Sequence, residues 1–173
     1  MSATQSSQGG ANVRVPPPLI FLVLTGAGML LDGAGHSLLV PLGKTTRFAC
    51  VWVLLITGIS LSLSALWLFQ RSGQEPEPWK PSPNLIGRGP YRFSRNPIYL
   101  SMVLLQSAFG LVFDNLWIVM LALPALLVVH YTAVLPEERY LVDRFGDAYS
   151  RYTAAVPRYL GWRSRNLSNR EDR

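Results

Sequence analysis

The sequence predicts an all-α integral membrane bundle with about four transmembrane helices, the third and fourth forming a hairpin, closed by a C-terminal amphipathic helix. Three observations carry that expectation. Only 15% of the 173 residues are charged while 49% are hydrophobic, and soluble domains carry about 25% charged residues. Four long apolar stretches recur along the chain. The basic residues stand beside those stretches rather than on a polar domain of their own, which is the pattern that sets membrane topology.

The first apolar stretch runs over residues 19–31 and extends to about 40 through small residues. The second, 48–69, is the cleanest. The third, 98–113, is short, and the fourth covers 116–135. A helix needs about 20 residues, within a range of roughly 17–25, to cross the hydrocarbon core. The second and fourth qualify outright and the first with its flanks. "FDN" at 113–115 leaves room for only a tight turn between the third and fourth. Residues 1–17 are expected to be a disordered N-terminal tail, 18–162 a single membrane domain, and 163–173 a disordered C-terminal tail.

Lysine and arginine placement gives the orientation. With four spans, the N-terminal tail, residues 71–96 and everything after Pro136 share one side. That side holds fourteen of the sixteen basic residues, one in the tail, five in 71–96 and eight after Pro136. The expected localisation is therefore a membrane, in the form of a bacterial inner membrane, with both termini cytoplasmic. Residues 71–83, "RSGQEPEPWKPSP", read as a linker, because four prolines forbid a regular helix and favour extended geometry. "PEERYLVDRFGDAYSRY" places Leu141, Phe145, Ala148, Tyr149 and Tyr152 on one helical face, the mark of an amphipathic helix.

The net charge of +6 does not make a nucleic-acid binder, because its carriers flank apolar spans. The one cysteine, Cys50, permits neither an internal disulfide nor a metal cluster. No metal-ligand spacing, P-loop or dinucleotide fingerprint is present, so no metal is expected.

Two clusters are rich in groups that could do chemistry. In "GRGPYRFSRNPIYL" (87–100), Pro90 and Pro97 fix the backbone and Gly87 and Gly89 allow tight turns. A topological anchor needs charge and aromatic groups but not this rigidity, so Tyr91, Arg92, Arg95 and Asn96 are expected at set positions. The second cluster begins at Glu137–Glu138. Adjacent acids at a membrane edge are costly unless paired or solvated; they also suit the positive end of a helix. Farther on, Tyr149, Tyr152 and Arg158 lie near Gly146, with Arg158 fixed after Pro157. His130, alone within the fourth span, is expected to hydrogen-bond a neighbouring helix rather than act in catalysis.

"GPYRFSRNPIYL" followed about forty residues later by "PEERYLVDRFGDAYSRYTAAVPRYL" resembles the isoprenylcysteine carboxyl methyltransferase family, which is related to the phospholipid methyltransferases. The similarity covers roughly residues 87–160. It rests on Gly89, Pro90, Tyr91, Arg95, Pro97 and Tyr99, then Glu137, Glu138, Leu141, Phe145, Gly146, Tyr149 and Tyr152, and finally Val156, Pro157 and Arg158. The family pattern has histidine where this chain has Asn96, which keeps a donor and an acceptor but lacks the ring.

That resemblance implies an S-adenosylmethionine-dependent methyltransferase acting on a lipid or lipidated small molecule drawn from the bilayer. It implies a cofactor site of Tyr91, Arg95, Asn96, Pro97, Tyr99, Glu137, Glu138, Tyr149 and Arg158, with Arg95 and Glu138 as the catalytic pair. An arginine suits the cofactor's carboxylate, Glu137 or Glu138 its ammonium and ribose hydroxyls, and Tyr91 and Tyr99 its sulfonium and adenine. The chain itself leaves the methyl acceptor open. It also leaves open a membrane reductase of the sterol-reductase type using NADPH, or a non-enzymatic membrane protein.

Overall fold

A computed structural model describes residues 11, 13, 15–73, 75, 77, 79, 80 and 82–161. Most of the expected N-terminal tail and all of the expected C-terminal tail lie outside the described residues. Among the described residues every regular element is helical: α1 Pro17–Gly33, α2 Lys44–Arg71, α3 Pro97–Val112, α4 Leu116–Val129, α5 Leu135–Phe145 and α6 Asp147–Ala155. A 3₁₀ turn at Gly89–Arg92 precedes α3, and a π turn at His130–Val134 joins α4 to α5.

Pro17 opens α1, where its missing N–H costs nothing. The helix ends at Gly33 and does not extend toward residue 40, as the sequence suggested. Gly35 adopts φ +87° just beyond it, a conformation that leaves the helical region. At 17 residues, α1 is about 26 Å long at 1.5 Å per residue. α2 is longer than expected, at 28 residues. Trp52, Ile56, Leu63 and Trp67 stand out from it into the surroundings, an apolar surface that suits lipid rather than water. Two helices are long and apolar enough to cross a membrane, Lys44–Arg71 and the continuous run Leu116–Phe145 of 30 residues; Pro17–Gly33 and Pro97–Val112 are shorter apolar helices.

Pro136 stands in the first turn of α5, where the sequence starts the amphipathic helix, and that helix runs on from α4 without a gap. Proline has no N–H to give to Thr132, and its ring presses on that carbonyl. The backbone answers with a π turn, in which the Leu135 N–H reaches the His130 carbonyl five residues back. The predicted amphipathic helix is instead broken in two at Gly146, whose φ of +50° no side-chain-bearing residue adopts cheaply.

α3 sits between α2 and α4, and α1 packs on α4. Small residues set the spacing. A Cβ on Gly110 would lie 2.7 Å from Val119 Cγ2, and one on Gly28 would lie 2.8 Å from Ile118 Cγ1. Asn115, between α3 and α4, makes the decisive polar contacts at this end. Its side chain accepts from the Ile118 N–H at 3.1 Å and donates to the Gly28 carbonyl at 3.1 Å. Asn115→Ala removes a helix cap and leaves a buried carbonyl unpaired, so it should lower the unfolding free energy by about 2–3 kcal/mol. Denaturant unfolding in detergent measures this, and a change below about 0.5 kcal/mol would contradict the assigned role.

Candidate active site

The two clusters meet at the other end of the bundle. Gly89 (φ +60°) and Pro90 start the 3₁₀ turn that buries Tyr91, and Pro97 starts α3. The residues between them are pinned to the chain after α6. The Arg95 N–H donates to the Pro157 carbonyl at 3.0 Å. Ser94 Oγ and Asn96 Nδ2 both donate to the Arg158 carbonyl, at 3.2 and 2.9 Å. His130 Nδ1 lies 3.1 Å from the Tyr159 hydroxyl, so the histidine bonds the stretch after α6 rather than the neighbouring helix the sequence suggested. The first three ties hold the Pro157–Arg158 turn against the start of α3, and the fourth joins Tyr159 to the π turn. Asn96 is buried and spends its amide on the Arg158 backbone.

Glu138 occupies the centre of this junction. Its Oε1 accepts from Arg95 Nη1 at 2.8 Å and from Arg158 Nε at 2.9 Å, and its Oε2 accepts from Arg158 Nη2 at 2.6 Å. Arg158 thus holds the carboxylate in a bidentate fork, and its own guanidinium is held charged by that contact. The Arg95 guanidinium also lies beside the Tyr149 hydroxyl. Burial and then the neighbouring Glu138 carboxylate push that phenol up to about 12, so it stays neutral. Tyr152 donates to the Tyr91 carbonyl at 2.8 Å, and burial raises both phenols.

Glu137 turns the other way. It accepts from the Tyr99 hydroxyl at 3.3 Å and lines a cavity of about 310 Å³. Tyr91, Arg95, Asn96, Pro97 and Tyr99 line the same cavity, and α2 supplies an apolar wall through Leu66 and Phe69. The Nε of Arg95 is buried and has no hydrogen-bond partner. A smaller cavity of about 50 Å³ shares Tyr91, Arg95 and Glu137 and adds Tyr149 and Tyr152.

A family model described as phospholipid methyltransferase matches residues 46–148, from α2 into α6. The chain belongs to the phospholipid methyltransferase family. No curated protein matches the chain. Membership in a family of membrane methyltransferases favours the methyltransferase reading over the reductase and non-enzymatic ones. In this methyltransferase the match takes in both clusters up to Ala148, while Pro157–Arg158 lies beyond it and joins the site only through the fold.

All nine residues picked out in the sequence converge on one junction, but they divide into two groups. Tyr91, Arg95, Asn96, Pro97, Tyr99 and Glu137 face the larger cavity. Glu138 and Arg158 form the clamp behind Arg95, with Tyr149 beside it. Sequence reasoning missed Glu77 and Trp79, which also line the cavity. The signal for them was present in residues 71–83, where an isolated tryptophan and acids interrupt a proline-rich stretch that as a mere spacer needs neither.

Proposed function

We propose that this chain transfers a methyl group from S-adenosylmethionine to an acceptor embedded in the bilayer. The observation that supports it is the cavity shared by two distant motifs, with Arg95 in its wall and the Arg95 Nε buried without a hydrogen-bond partner. An uncompensated buried donor is costly, and the cofactor's carboxylate is the complement it lacks. The rest of the donor set fits as well. Glu137 would take the cofactor's ammonium or ribose hydroxyls, and Tyr91 and Tyr99 would offer ring faces to its cationic and aromatic parts. Asn96 and Pro97 would shape the floor. Glu138, Arg158 and Tyr149 would hold Arg95 in place.

When bound, the cofactor supplies an electrophilic methyl carbon on a positively charged sulfur. The protein's own contribution is alignment, because holding two reactants in line accounts for much of the barrier reduction in such displacements. Arg95, braced by Glu138, is the group that would fix that line. In this reading all four apolar helices cross the membrane, α1 and α3 being the short ones, and the site and both termini face the cytoplasm. The acceptor enters sideways along the apolar wall. Two acceptor chemistries suit that wall, the carboxylate of a prenylated cysteine, which the motif resemblance suggests, and a phospholipid headgroup.

Thermal unfolding in detergent with S-adenosylhomocysteine and, separately, NADPH tests the cofactor. S-adenosylhomocysteine at 100 times its dissociation constant should add about 2.7 kcal/mol. Stabilisation by NADPH alone, or by neither ligand, would overturn the reading.

A further inference from the structure

The larger cavity is walled by apolar helices, through Pro18 of α1, Leu66 of α2 and Met102 of α3, and a charged donor does not travel through an apolar wall. A second face of the junction points elsewhere. There α5, whose Arg139, Asp143 and Arg144 are exposed, is crossed by residues 82–88. Asn84, Leu85 and Ile86 line two cavities at once. One is the inner cavity of about 50 Å³, which shares Phe69, Tyr91, Arg95 and Glu137 with the larger one. The other is an outer cavity of about 330 Å³, completed by Ser72, Gly87 and Arg88. Those three residues are therefore a partition between the junction and the outside.

The two ends of the partition are held differently. Ser82 is gripped through both sides of its backbone. Its N–H donates to the Tyr140 hydroxyl at 3.1 Å, and its carbonyl accepts from Arg144 Nε at 2.6 Å. Tyr140 and Arg144 stand four residues apart, and so on one face of α5. At the other end Gly89 takes φ +60°, with Gly87 exposed two residues before it, and glycines there let the backbone rotate. Between the ends Ile86, half-buried, plugs the gap by packing against Ala65, Leu68 and Tyr91. That hold is modest beside the charged clamp behind it, and segments with few buried apolar contacts are the ones that open locally.

We propose that residues 82–88 are a gate through which the water-soluble methyl donor enters and its spent form leaves, latched by Tyr140 and Arg144 and hinged at Gly87–Gly89. The proposal rests on the methyl-transfer reading given above. When the latch lets go, Asn84–Ile86 move away from Tyr91, and the outer and inner cavities become one passage from water to Arg95. Arg88 is exposed in the outer wall and offers the donor's carboxylate a first contact. The closed form is the resting form with and without donor. The latch therefore sets how often the passage opens, and so both exchange rates, and leaves their ratio alone.

Tyr140→Phe/Arg144→Ala removes the latch without altering a residue that lines the larger cavity. Surface plasmon resonance on the full chain in detergent should show S-adenosylhomocysteine binding and leaving about tenfold faster than in the unaltered protein, with a dissociation constant within about twofold. Tenfold is about the shift that losing one or two neutral hydrogen bonds makes in an opening equilibrium. A second measurement needs no ligand. Leu141 lines the inner cavity and neither of the others. In a Leu141→Cys/Cys50→Ser variant, the rate of reaction with a charged methanethiosulfonate reports opening, and removing the latch should raise it about tenfold. Equal labelling rates with and without the latch overturn the proposal. So do unchanged exchange rates beside faster labelling, which would send the donor by another route. A loss of affinity carried by dissociation alone overturns it as well, because Tyr140 and Arg144 would then belong to the binding surface. Failure of S-adenosylhomocysteine to bind the unaltered protein sinks the methyl-transfer reading instead, and the labelling rates still decide whether the segment opens.

Discussion

Glu138→Ala is expected to lower both stability and donor affinity, and by more than any other single substitution at the site. The carboxylate takes three charge-assisted hydrogen bonds from two arginines. Arg95 and Glu138 are only 13% and 15% exposed at the side chain. Removing the acid leaves two guanidinium groups facing each other with no counter-charge, a kind of loss that costs about 3–5 kcal/mol when both partners are buried. Arg158 is 39% exposed, so solvent screens its share, and the lower end, about 3 kcal/mol, is the expectation. Arg158→Ala alone should cost less than about 1 kcal/mol, because Arg95 still pairs with Glu138. The double variant Glu138→Ala/Arg158→Ala should recover part of the loss, because it removes the like-charge contact that the single change creates. Unfolding in detergent gives the stabilities, and S-adenosylhomocysteine titration gives the donor affinity, expected to fall at least about 100-fold as Arg95 swings free. A variant with the unfolding temperature and affinity of the original chain would mean that the clamp has no role.

That expectation differs from what residues 137–138 suggest in the sequence, where the two acids are interchangeable. Neighbouring residues on a helix point about 100° apart, so only one of them can face a given cavity. Which one does so depends on the rotation of α5, and that rotation is reset by the π turn at His130–Val134. Such a turn adds a residue to one helical turn and rotates everything after it. Periodicity counted along the apolar span carries no trace of that insertion. The convergence itself was legible, because prolines and glycines at 87–97 marked a shaped segment and a short turn had to return the chain to the same end. Asn96 was legible as a departure from the family pattern, but its bond to the Arg158 carbonyl joins residues 62 positions apart and has no local signature. Glu77 and Trp79 escaped for a related reason. Proline spacing reports backbone stiffness, whereas their place in the cavity depends on where the end of α2 delivers the chain.

Arg95→Lys separates the structural and the ligand-directed work of this side chain. A lysine ammonium can replace the guanidinium at Glu138, where Nη1 sits 2.8 Å from Oε1, so the charge pair survives and stability should fall by only about 1 kcal/mol. What it cannot do is meet Glu138, lie beside the Tyr149 hydroxyl and keep a further N–H free in the wall of the cavity at once. Arginine does so because its N–H groups are spread over a rigid plane, and its Nε is the one left buried without a partner. The expected result is a protein that unfolds within a few degrees of the original while its affinity for S-adenosylhomocysteine drops about 100-fold, matching the loss of a paired, charge-assisted contact of about 2–3 kcal/mol. Retained affinity within about threefold would mean that a point charge suffices and that the unpartnered Nε is not aimed at a ligand. Loss of stability and affinity together, to the extent seen on removing Glu138, would instead make Arg95 part of the clamp alone and move donor recognition to Glu137 and the tyrosines.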